Sequence, residues 1–224
     1  MSDLEDGRPL REALIETARA MNAAGINVNK AGNVSVRCRR GARPGFLITP
    51  TGIPYAQLAA EDVVFVCLDS AEAIGTREPS SEWRFHLDIL RTRSEFNAIV
   101  HTHSRAATAL AVHGRGIPAF HYMVAVAGGK DIRCAHYATF GTQALSDHAL
   151  QALADRKACL LAHHGVIACQ ASLTEALRLA IEVENLARTY LHACTLGEPP
   201  LIPDEEMERV IARFLTYGQV GSTI

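Results

Sequence analysis

Two histidines, His101 and His103, end an apolar run that begins at Ala98 and has the composition of a β-strand. Residues i and i+2 of a strand point to the same side, so the two imidazoles would lie side by side. Such a pair offers two ligands for zinc or a similar divalent ion. The alternative is a strand end with two half-exposed histidines, and the pair alone does not decide between the two interpretations.

A second pair of histidines, His163 and His164, lies between two apolar strand-like runs and is followed by Gly165. Neighbouring residues on a strand face opposite ways, so we expect only one of these histidines to join any one site. Gly165 would let the backbone bend beside them. A buried hairpin with a hydrogen-bonded histidine explains this segment equally well.

Three short loops rich in glycine, serine and threonine precede the His-x-His strand. Their polar or flexible residues are Gly32 and Asn33, Thr51 and Gly52, and Ser80 and Ser81. The serines open a helix, whose free N–H groups favour an anion, and the glycines allow a close approach of the backbone. Taken singly, each loop is explained as a plain turn or a helix cap. Because the three loops recur before one strand, we hypothesise that they converge on one phosphate.

Helical and strand patterns alternate along the whole chain, without an internal repeat. Helices are predicted at about 9–24, 82–93, 105–113, 143–154, 172–194 and 205–217, and strands at about 34–38, 46–49, 63–68, 98–103, 158–162 and 166–169. Residues 117–126 are expected to be extended. This mixture predicts helices layered on a sheet in one domain, residues 1–224, with 1–8 and 218–224 flexible.

Composition excludes several classes of function. The 224 residues are 48% hydrophobic and 21% charged, with a net charge of -2 and no basic stripe, so we expect no nucleic-acid partner. No apolar run approaches the roughly 20 residues of a membrane helix, and the acidic start is not a signal peptide. The six cysteines are scattered without a C-x-x-C pair. We therefore predict a cytoplasmic protein without disulfides or a thiolate metal site.

Five motifs in this order resemble those of the class II aldolase/adducin-head family. They are Gly32-Asn33-Val34-Ser35, Thr49-Pro50-Thr51-Gly52, Ser80-Ser81-Glu82, His101-Thr102-His103-Ser104 and His163-His164-Gly165. The resemblance covers residues 10–217 and is closest to the L-fuculose-1-phosphate aldolase branch. It implies an α/β fold of three layers, α/β/α, with a central mixed, mostly antiparallel sheet.

The resemblance also implies a metal and a phosphate site. One zinc per subunit would be held by a glutamate and three histidines, which correspond to Glu82, His101, His103 and His164. The family's His-Gly pair selects His164 over His163. Such a mixed set of nitrogen and oxygen ligands suits zinc, while manganese and cobalt stay open. The three loops would bind the phosphate of a small sugar phosphate.

The activity that the resemblance implies is a reversible aldol cleavage. A ketose 1-phosphate, most closely L-fuculose 1-phosphate, would give dihydroxyacetone phosphate and an aldehyde, here L-lactaldehyde. Glu82 corresponds to the family's metal-ligand glutamate, which is thought to act as acid and base. Tyr122 and Tyr217 resemble tyrosines that enter the site from a neighbouring subunit of a homotetramer, with active sites at subunit interfaces. No lysine lies in a motif that would suggest a Schiff base.

Three alternatives share much of this pattern. An aldolase of nucleoside salvage would cleave 5-deoxyribulose 1-phosphate or 5-methylthioribulose 1-phosphate. Pentulose-phosphate 4-epimerases are similar but have Asp at the position of Glu82, so Glu82 favours an aldolase. A non-catalytic adducin-like module would lack metal ligands, whereas all four are present here.

Overall fold

An eight-stranded sheet forms the middle of the molecule in the computed structural model, which describes residues 4–216. Its strands are β1 (Asn33–Arg40), β2 (Arg43–Ile48), β3 (Val64–Cys67), β4 (Ala73–Ile74), β5 (Ala98–Thr102), β6 (Cys134–Ala135), β7 (Ala158–Leu161) and β8 (Gly165–Gln170). They lie in the order β4-β3-β2-β1-β5-β8-β7-β6. Only β6 and β7 pair in parallel; the other neighbouring strands are antiparallel. The predicted mixed, mostly antiparallel sheet is confirmed.

Helices cover both faces of this sheet. They are α1 (Arg8–Ala23), α2 (Trp83–Thr92), α3 (Arg105–Val112), α4 (Gln143–Ala152), α5 (Leu173–Cys194) and α6 (Asp204–Thr216). Apolar residues of α1, α3 and α5 pack on one face, and those of α2 and α4 pack on the other. Alternate residues of β5 join the two layers: Val100 packs with the first and Ile99 with the second. This arrangement confirms the three-layer α/β/α fold. Within residues 4–216, no helix is long and apolar enough to span a membrane.

One local prediction was wrong. The segment expected to be extended at 117–126 contains a 3₁₀ helix, Tyr122–Ala127, because the His121 side chain accepts a hydrogen bond from Met123 N and Gly128, at φ 90°, ends the turn. In the described part of the N-terminal segment, Leu4 and Asp6 form backbone hydrogen bonds with Arg39, and the flexibility of residues 1–8 stays a prediction. Residues 1–3 and the C-terminal segment 218–224 lie outside the described residues.

Two glycines let the neighbouring strands close on β5. A Cβ atom on Gly32 would lie 2.3 Å from the carbonyl oxygen of His101, and one on Gly165 would lie 2.3 Å from that of Thr102. Any side chain at these positions would therefore push β1 or β8 away from the end of β5. The glycines of the first and last motifs thus allow close packing on both sides of the His-x-His segment.

A buried carboxylate fixes the helix that follows His103. Glu184 of α5 accepts hydrogen bonds from the backbone N–H groups of Ala106 and Ala107, at 3.0 to 3.1 Å. A negative charge is favoured at a helix N-terminus, where these N–H groups have no partner within the helix. Ser104, the N-cap residue of α3, makes no capping bond with its side chain. Glu184 therefore takes the capping role and holds α3 in place immediately after His103.

Candidate active site

Four side chains from separate parts of the chain converge at the end of β5. Glu82 lies directly before α2, His101 and His103 lie in and just after β5, and His164 lies in the bend between β7 and β8. One oxygen or nitrogen atom from each lies within 4.8 Å of the others. The three imidazole centroids are 4.8 to 4.9 Å apart, with planes at 72° to 77° to one another. The structure thus brings together the four residues assigned to the metal, and their role as ligands stays a prediction.

The hydrogen bond of His101 shows that these residues fit a metal ion. Its Nδ1 lies 2.9 Å from the carbonyl oxygen of Val166, which can only accept, so Nδ1 has the proton, and Nε2 offers a lone pair when the ring binds a metal ion. That Nε2 faces Nε2 of His103 at 2.9 Å and a carboxylate oxygen of Glu82 at 3.2 Å. Electron pairs this close repel one another unless a positive charge lies among them. A ligand histidine held by a backbone carbonyl and a mixed set of nitrogen and oxygen donors suit a divalent ion such as zinc.

Electrostatics keep the candidate ligands in their metal-binding forms. Burial, together with the neighbouring His101 and His164, lowers the pKa of His103 to about 3, so its ring is neutral at physiological pH. Burial alone opposes ionisation of Glu82, but a positive charge beside it, here that of protonated His101 and His164, holds the pKa of its carboxyl below the usual range. A metal ion in place of those protons would act in the same direction. The second carboxylate oxygen lies 3.0 Å from Nε2 of His164. The cluster therefore presents a carboxylate to the imidazole nitrogens.

The three loops predicted to bind phosphate lie against one another. Lys30 Nζ donates to the carbonyl oxygen of Gly52 at 2.6 Å, Ser80 N donates to that of Thr49 at 3.0 Å, and Thr51 N donates to that of Glu78 at 3.1 Å. Thr51, Gly52 and Ser81 are exposed. These contacts bring the loops together, while the binding of phosphate by them stays a prediction.

Gly32 and Asn33, in the first loop, are buried. The Tyr55 hydroxyl donates to the carbonyl oxygen of Gly32, and burial raises the pKa of Tyr55, which keeps that proton in place. The side chain of Asn33 is turned inward, and its Nδ2 donates to Glu82 at 2.9 Å. The amide expected to face a phosphate thus contacts the metal-ligand candidate.

The serines of the third loop do not cap α2 as expected. The helix begins at Trp83 with Glu82 as its N-cap residue, and Glu82 makes no capping bond. Ser80 is buried, and its N–H donates to Thr49, because the segment before it pairs with the second loop through a bridge between Pro50 and Pro79. The helix therefore begins after the two serines, at Trp83, and the Glu82 side chain contacts His101 and His164.

A cavity of about 290 Å³ opens beside the cluster. It is lined by Ala31, Ser81, Glu82, His103, Tyr137, Ala138, Phe140, His163 and His164. Tyr137 and Phe140 are 60% and 64% exposed, and the Tyr137 ring packs edge-on against His163, with centroids 5.8 Å apart. His163 has a φ of 56°, an uncommon backbone conformation for a residue with a side chain. The cavity thus has an aromatic outer wall opposite the candidate metal ligands.

A larger cavity of about 600 Å³ lies elsewhere, between the N-terminal segment and the β4 edge of the sheet. Its Arg11 is paired with both oxygens of Asp6, and Arg8 is paired with Glu12. These charges already have partners, so the smaller cavity at the histidines is the better candidate for chemistry.

Of the two predicted catalytic tyrosines, Tyr122 is described by the structure and lies away from the cluster of its own chain. Tyr122 is 50% exposed, does not line the cavity of its own chain, and stacks against Phe214 of α6, with ring centroids 6.5 Å apart. Tyr217 lies outside the described residues. Their roles stay predictions.

Several site residues were missed from the sequence. Lys30 donates a hydrogen bond to the second loop, and His86 contacts Asn33, the partner of Glu82. Tyr137 and Phe140 line the cavity. Lys30 and the aromatic residues could have been noticed, because Lys30 lies two residues before Gly32 and the aromatic residues interrupt a polar segment. His86 lies in a helix whose pattern indicates only a buried face.

The zinc content of two histidine variants, one inside the cluster and one outside it, tests the ligand assignment. We expect His103→Ala to lose stoichiometric zinc, because one of four donors is removed, whereas His163→Ala should keep it, because His163 is not in the cluster. Both proteins would be loaded with zinc, desalted and analysed by elemental mass spectrometry. One tightly held zinc per chain in His103→Ala would contradict the assignment.

The chain is similar to known proteins over most of its length. The family model described as "Class II Aldolase and Adducin N-terminal domain" matches residues 12–191. The chain is 54% identical over 209 residues to the 5-methylthioribulose-1-phosphate/5-deoxyribulose-1-phosphate aldolase of Rhodospirillum rubrum, covering 93% of this chain and 92% of that protein. It is 48% identical over 210 residues to the L-fuculose phosphate aldolase of Escherichia coli, covering 93% and 95%. A solved structure of L-fuculose 1-phosphate aldolase has a TM-score of 0.89 and 38% identity, covering 96% of this chain and all of that one.

These matches confirm the resemblance drawn from the motifs. The similar proteins are aldolases, which are lyases, and they carry two different substrate names. The family model covers most of the chain, and the solved structure shares its fold over nearly the full length. The chain is therefore a class II aldolase. It belongs to the class II aldolase and adducin N-terminal domain family.

Proposed function

We propose that this enzyme uses a divalent metal ion to cleave a ketose 1-phosphate reversibly into dihydroxyacetone phosphate and an aldehyde. The observation that supports this most directly is the convergence of Glu82, His101, His103 and His164 beside an open cavity. The three loops proposed to bind the phosphate contact one another, and Ser81 of the third loop is exposed and lines the same cavity. Zinc is the proposed metal, because the donor set is three imidazoles and a carboxylate.

The proposed substrates are deoxyketose 1-phosphates whose far end is apolar. We place 5-methylthioribulose 1-phosphate and 5-deoxyribulose 1-phosphate first, since the relative named for them is 54% identical, against 48% for the Escherichia coli L-fuculose phosphate aldolase. L-Fuculose 1-phosphate, the first prediction from the sequence, is the second candidate. The exposed rings of Tyr137 and Phe140 support an aldehyde with a methyl or methylthio end, because covering apolar surface is favourable.

Aldol cleavage moves one electron pair and two protons. The bond between the carbon next to the carbonyl and the hydroxyl-bearing carbon beyond it breaks, and its electron pair stays on the ketone half. The hydroxyl proton is removed as the aldehyde forms, and a proton is added to the ketone half. A bound metal ion would supply Lewis-acid stabilisation of the negative charge that develops on the ketone oxygens.

Glu82 is the proposed group that moves the proton at the carbon next to the carbonyl. Its carboxylate lines the cavity and is ionised, because the histidines hold its pKa below the usual range. It can therefore accept a proton in the synthetic direction and, once protonated, return it in cleavage. Oriented contacts from Asn33, His101 and His164 limit the positions that it can take.

A neighbouring subunit is the proposed source of the second proton-transfer group. Tyr122 is half exposed and lies away from its own cavity, which supports a role in the cavity of another copy of the chain. The active sites would then lie at the subunit interfaces of a homotetramer, and Tyr217 keeps its predicted role in closing them. We also propose a cytoplasmic location, which fits six cysteines that form no disulfide within residues 4–216.

Product analysis tests this function against its alternatives. The zinc-loaded enzyme would be given L-fuculose, L-rhamnulose, 5-deoxyribulose and 5-methylthioribulose 1-phosphates, with L-ribulose 5-phosphate as the epimerase substrate. We expect release of dihydroxyacetone phosphate that stops when a chelator is added and returns with zinc. Epimerised ribulose phosphate without cleavage would replace the aldolase by an epimerase, and inactivity with every sugar would favour a binding module.

Glu82→Gln tests the proton-transfer role. We expect kcat to fall by about 10² to 10⁴-fold, because the amide cannot accept or return the proton. Zinc content would be measured on the same samples, so that loss of metal is separated from loss of proton transfer. Glu78→Gln is the matched control, since Glu78 is exposed and lies outside the cluster. Near-normal turnover of zinc-loaded Glu82→Gln would remove Glu82 from this role.

Lys30→Gln tests the location of the phosphate. Lys30 is the cation that hydrogen-bonds the second loop, and a charge-assisted contact with phosphate should be worth about tenfold or more in binding. We expect KM for the ketose 1-phosphate to rise by about that factor, and inhibition by inorganic phosphate to weaken in parallel. Lys130→Gln, which removes a lysine paired with Asp204, is the control. Unchanged values of KM and of phosphate inhibition would place the phosphate elsewhere.

A further inference from the structure

A buried chain of hydrogen bonds runs from β1 through α2 to the carboxylate of Glu82. Ser35 Oγ lies 2.7 Å from His86 Nδ1, His86 Nε2 lies 2.5 Å from Asn33 Oδ1, and Asn33 Nδ2 lies 2.9 Å from Glu82 Oε2. Ser35 and His86 are completely buried, and Asn33 and Glu82 are 2% and 5% exposed. Water therefore does not compete for these bonds, and each polar atom depends on its partner in the chain.

The chemistry of the atoms gives this chain one direction. A carboxylate can only accept, so the NH₂ group of Asn33 faces Glu82 and the amide oxygen faces His86. An amide oxygen can also only accept, so Nε2 of His86 has the proton. In a neutral ring, Nδ1 then accepts from the hydroxyl of Ser35. Burial, followed by the proximity of His101, lowers the pKa of His86 to about 3, which agrees with a neutral ring.

In this direction of hydrogen bonding, His86 helps to keep the Asn33 amide from turning over. If the amide rotated by half a turn, its oxygen would face the negative carboxylate of Glu82, and its NH₂ would meet the N–H of His86. The contact with Glu82 would be repulsive whatever the tautomer of His86, and the contact with His86 would be repulsive while its proton is on Nε2. The orientation of Asn33 is therefore supported from both sides, by the carboxylate of Glu82 and by His86, which does not line the cavity and is not in the metal-ligand cluster.

We propose that His86 is a positioning residue, which acts through Asn33 to hold one oxygen of Glu82 in place beside the histidines. His86 stays neutral and moves no proton itself. Its N–H fixes the donor that Asn33 presents, and this donor orients the carboxylate both as a candidate ligand and as the proposed proton-transfer group. Removing such an outer-shell partner typically costs about 10 to 100-fold in metal affinity or activity.

Two amide substitutions of His86 separate the effect of its hydrogen bond to Asn33 from the effect of its packing in the core. In His86→Gln, the amide nitrogen can take the place of Nε2 and donate to Asn33. In His86→Asn, the shorter side chain ends near the position of Nδ1 and reaches only Ser35. Both variants replace a buried ring with an amide, so both should lower the midpoint of thermal unfolding to a similar extent.

We expect zinc affinity and kcat to differ between these variants. His86→Gln should stay within a few-fold of the unchanged enzyme in the dissociation constant for zinc, measured by chelator competition, and in kcat. His86→Asn should weaken zinc binding and lower kcat by about 10 to 100-fold, with a smaller change in KM. Equal values for the two variants, whether both normal or both reduced, would overturn the proposal.

The unchanged, zinc-loaded full-length protein gives a test that does not depend on how the variants fold. Nitrogen-15 NMR distinguishes the two neutral tautomers of histidine, and we expect His86 to be neutral with its proton on Nε2 from pH 5 to pH 8. A proton on Nδ1, or a charged ring at pH 7, would overturn the proposal. Only the kcat comparison rests on the proposed function. If the sugar phosphates are not cleaved but the tautomer and the zinc affinities are as expected, the proposed function fails and the positioning role stands.

Discussion

The constraint on which this structure depends is the close approach of four electron-rich side chains in a poorly hydrated place. One oxygen of Glu82 and one nitrogen of each of three imidazoles lie within 4.8 Å of one another. Glu82 and His101 are almost completely buried, so water does not separate these groups. Without compensation, bringing these groups together is unfavourable. The fold compensates with oriented partners: the carbonyl of Val166 holds His101, and Asn33 holds Glu82. A cation would complete this arrangement, and the fixed positions of these groups suit the binding of a metal ion.

The position of β5 explains how segments far apart in sequence reach one point. This strand lies inside the sheet between β1 and β8, and apolar layers cover both of its faces. Gly32 and Gly165 let its two neighbours approach closely at the end where the histidines lie. Glu184 anchors α3 directly after His103. His101 lies in β5, and the other three candidate ligands lie at or near the ends of packed strands and helices, so this packing determines the geometry of the cluster.

Local patterns predicted the sheet, most helices and the His-x-His pair, because strand and helix periodicities are written in neighbouring residues. The selection of His164 over His163 came from the family motif, since spacing left both open. The structure adds that His163 has a left-handed backbone and is exposed. The link between His86 and Ser35 joins residues 51 positions apart, and no local pattern reveals such a pair. The 3₁₀ helix at Tyr122–Ala127 was missed because a short run of small apolar residues has no decisive period.

The arrangement of the cavity also bears on how narrowly the enzyme selects its substrate. The candidate ligands and the proposed phosphate loops would act on the end that all ketose 1-phosphates share. Differences between substrates therefore meet the outer wall, where Tyr137 and Phe140 are 60% and 64% exposed and where a second subunit is proposed to contribute Tyr122. An apolar wall discriminates by only roughly 1 to 3 kcal/mol per methylene group, so a methyl and a methylthio end are hard to separate. A relative whose name gives both 5-methylthioribulose 1-phosphate and 5-deoxyribulose 1-phosphate is consistent with this limit. We therefore expect one cavity to accept several deoxyketose 1-phosphates.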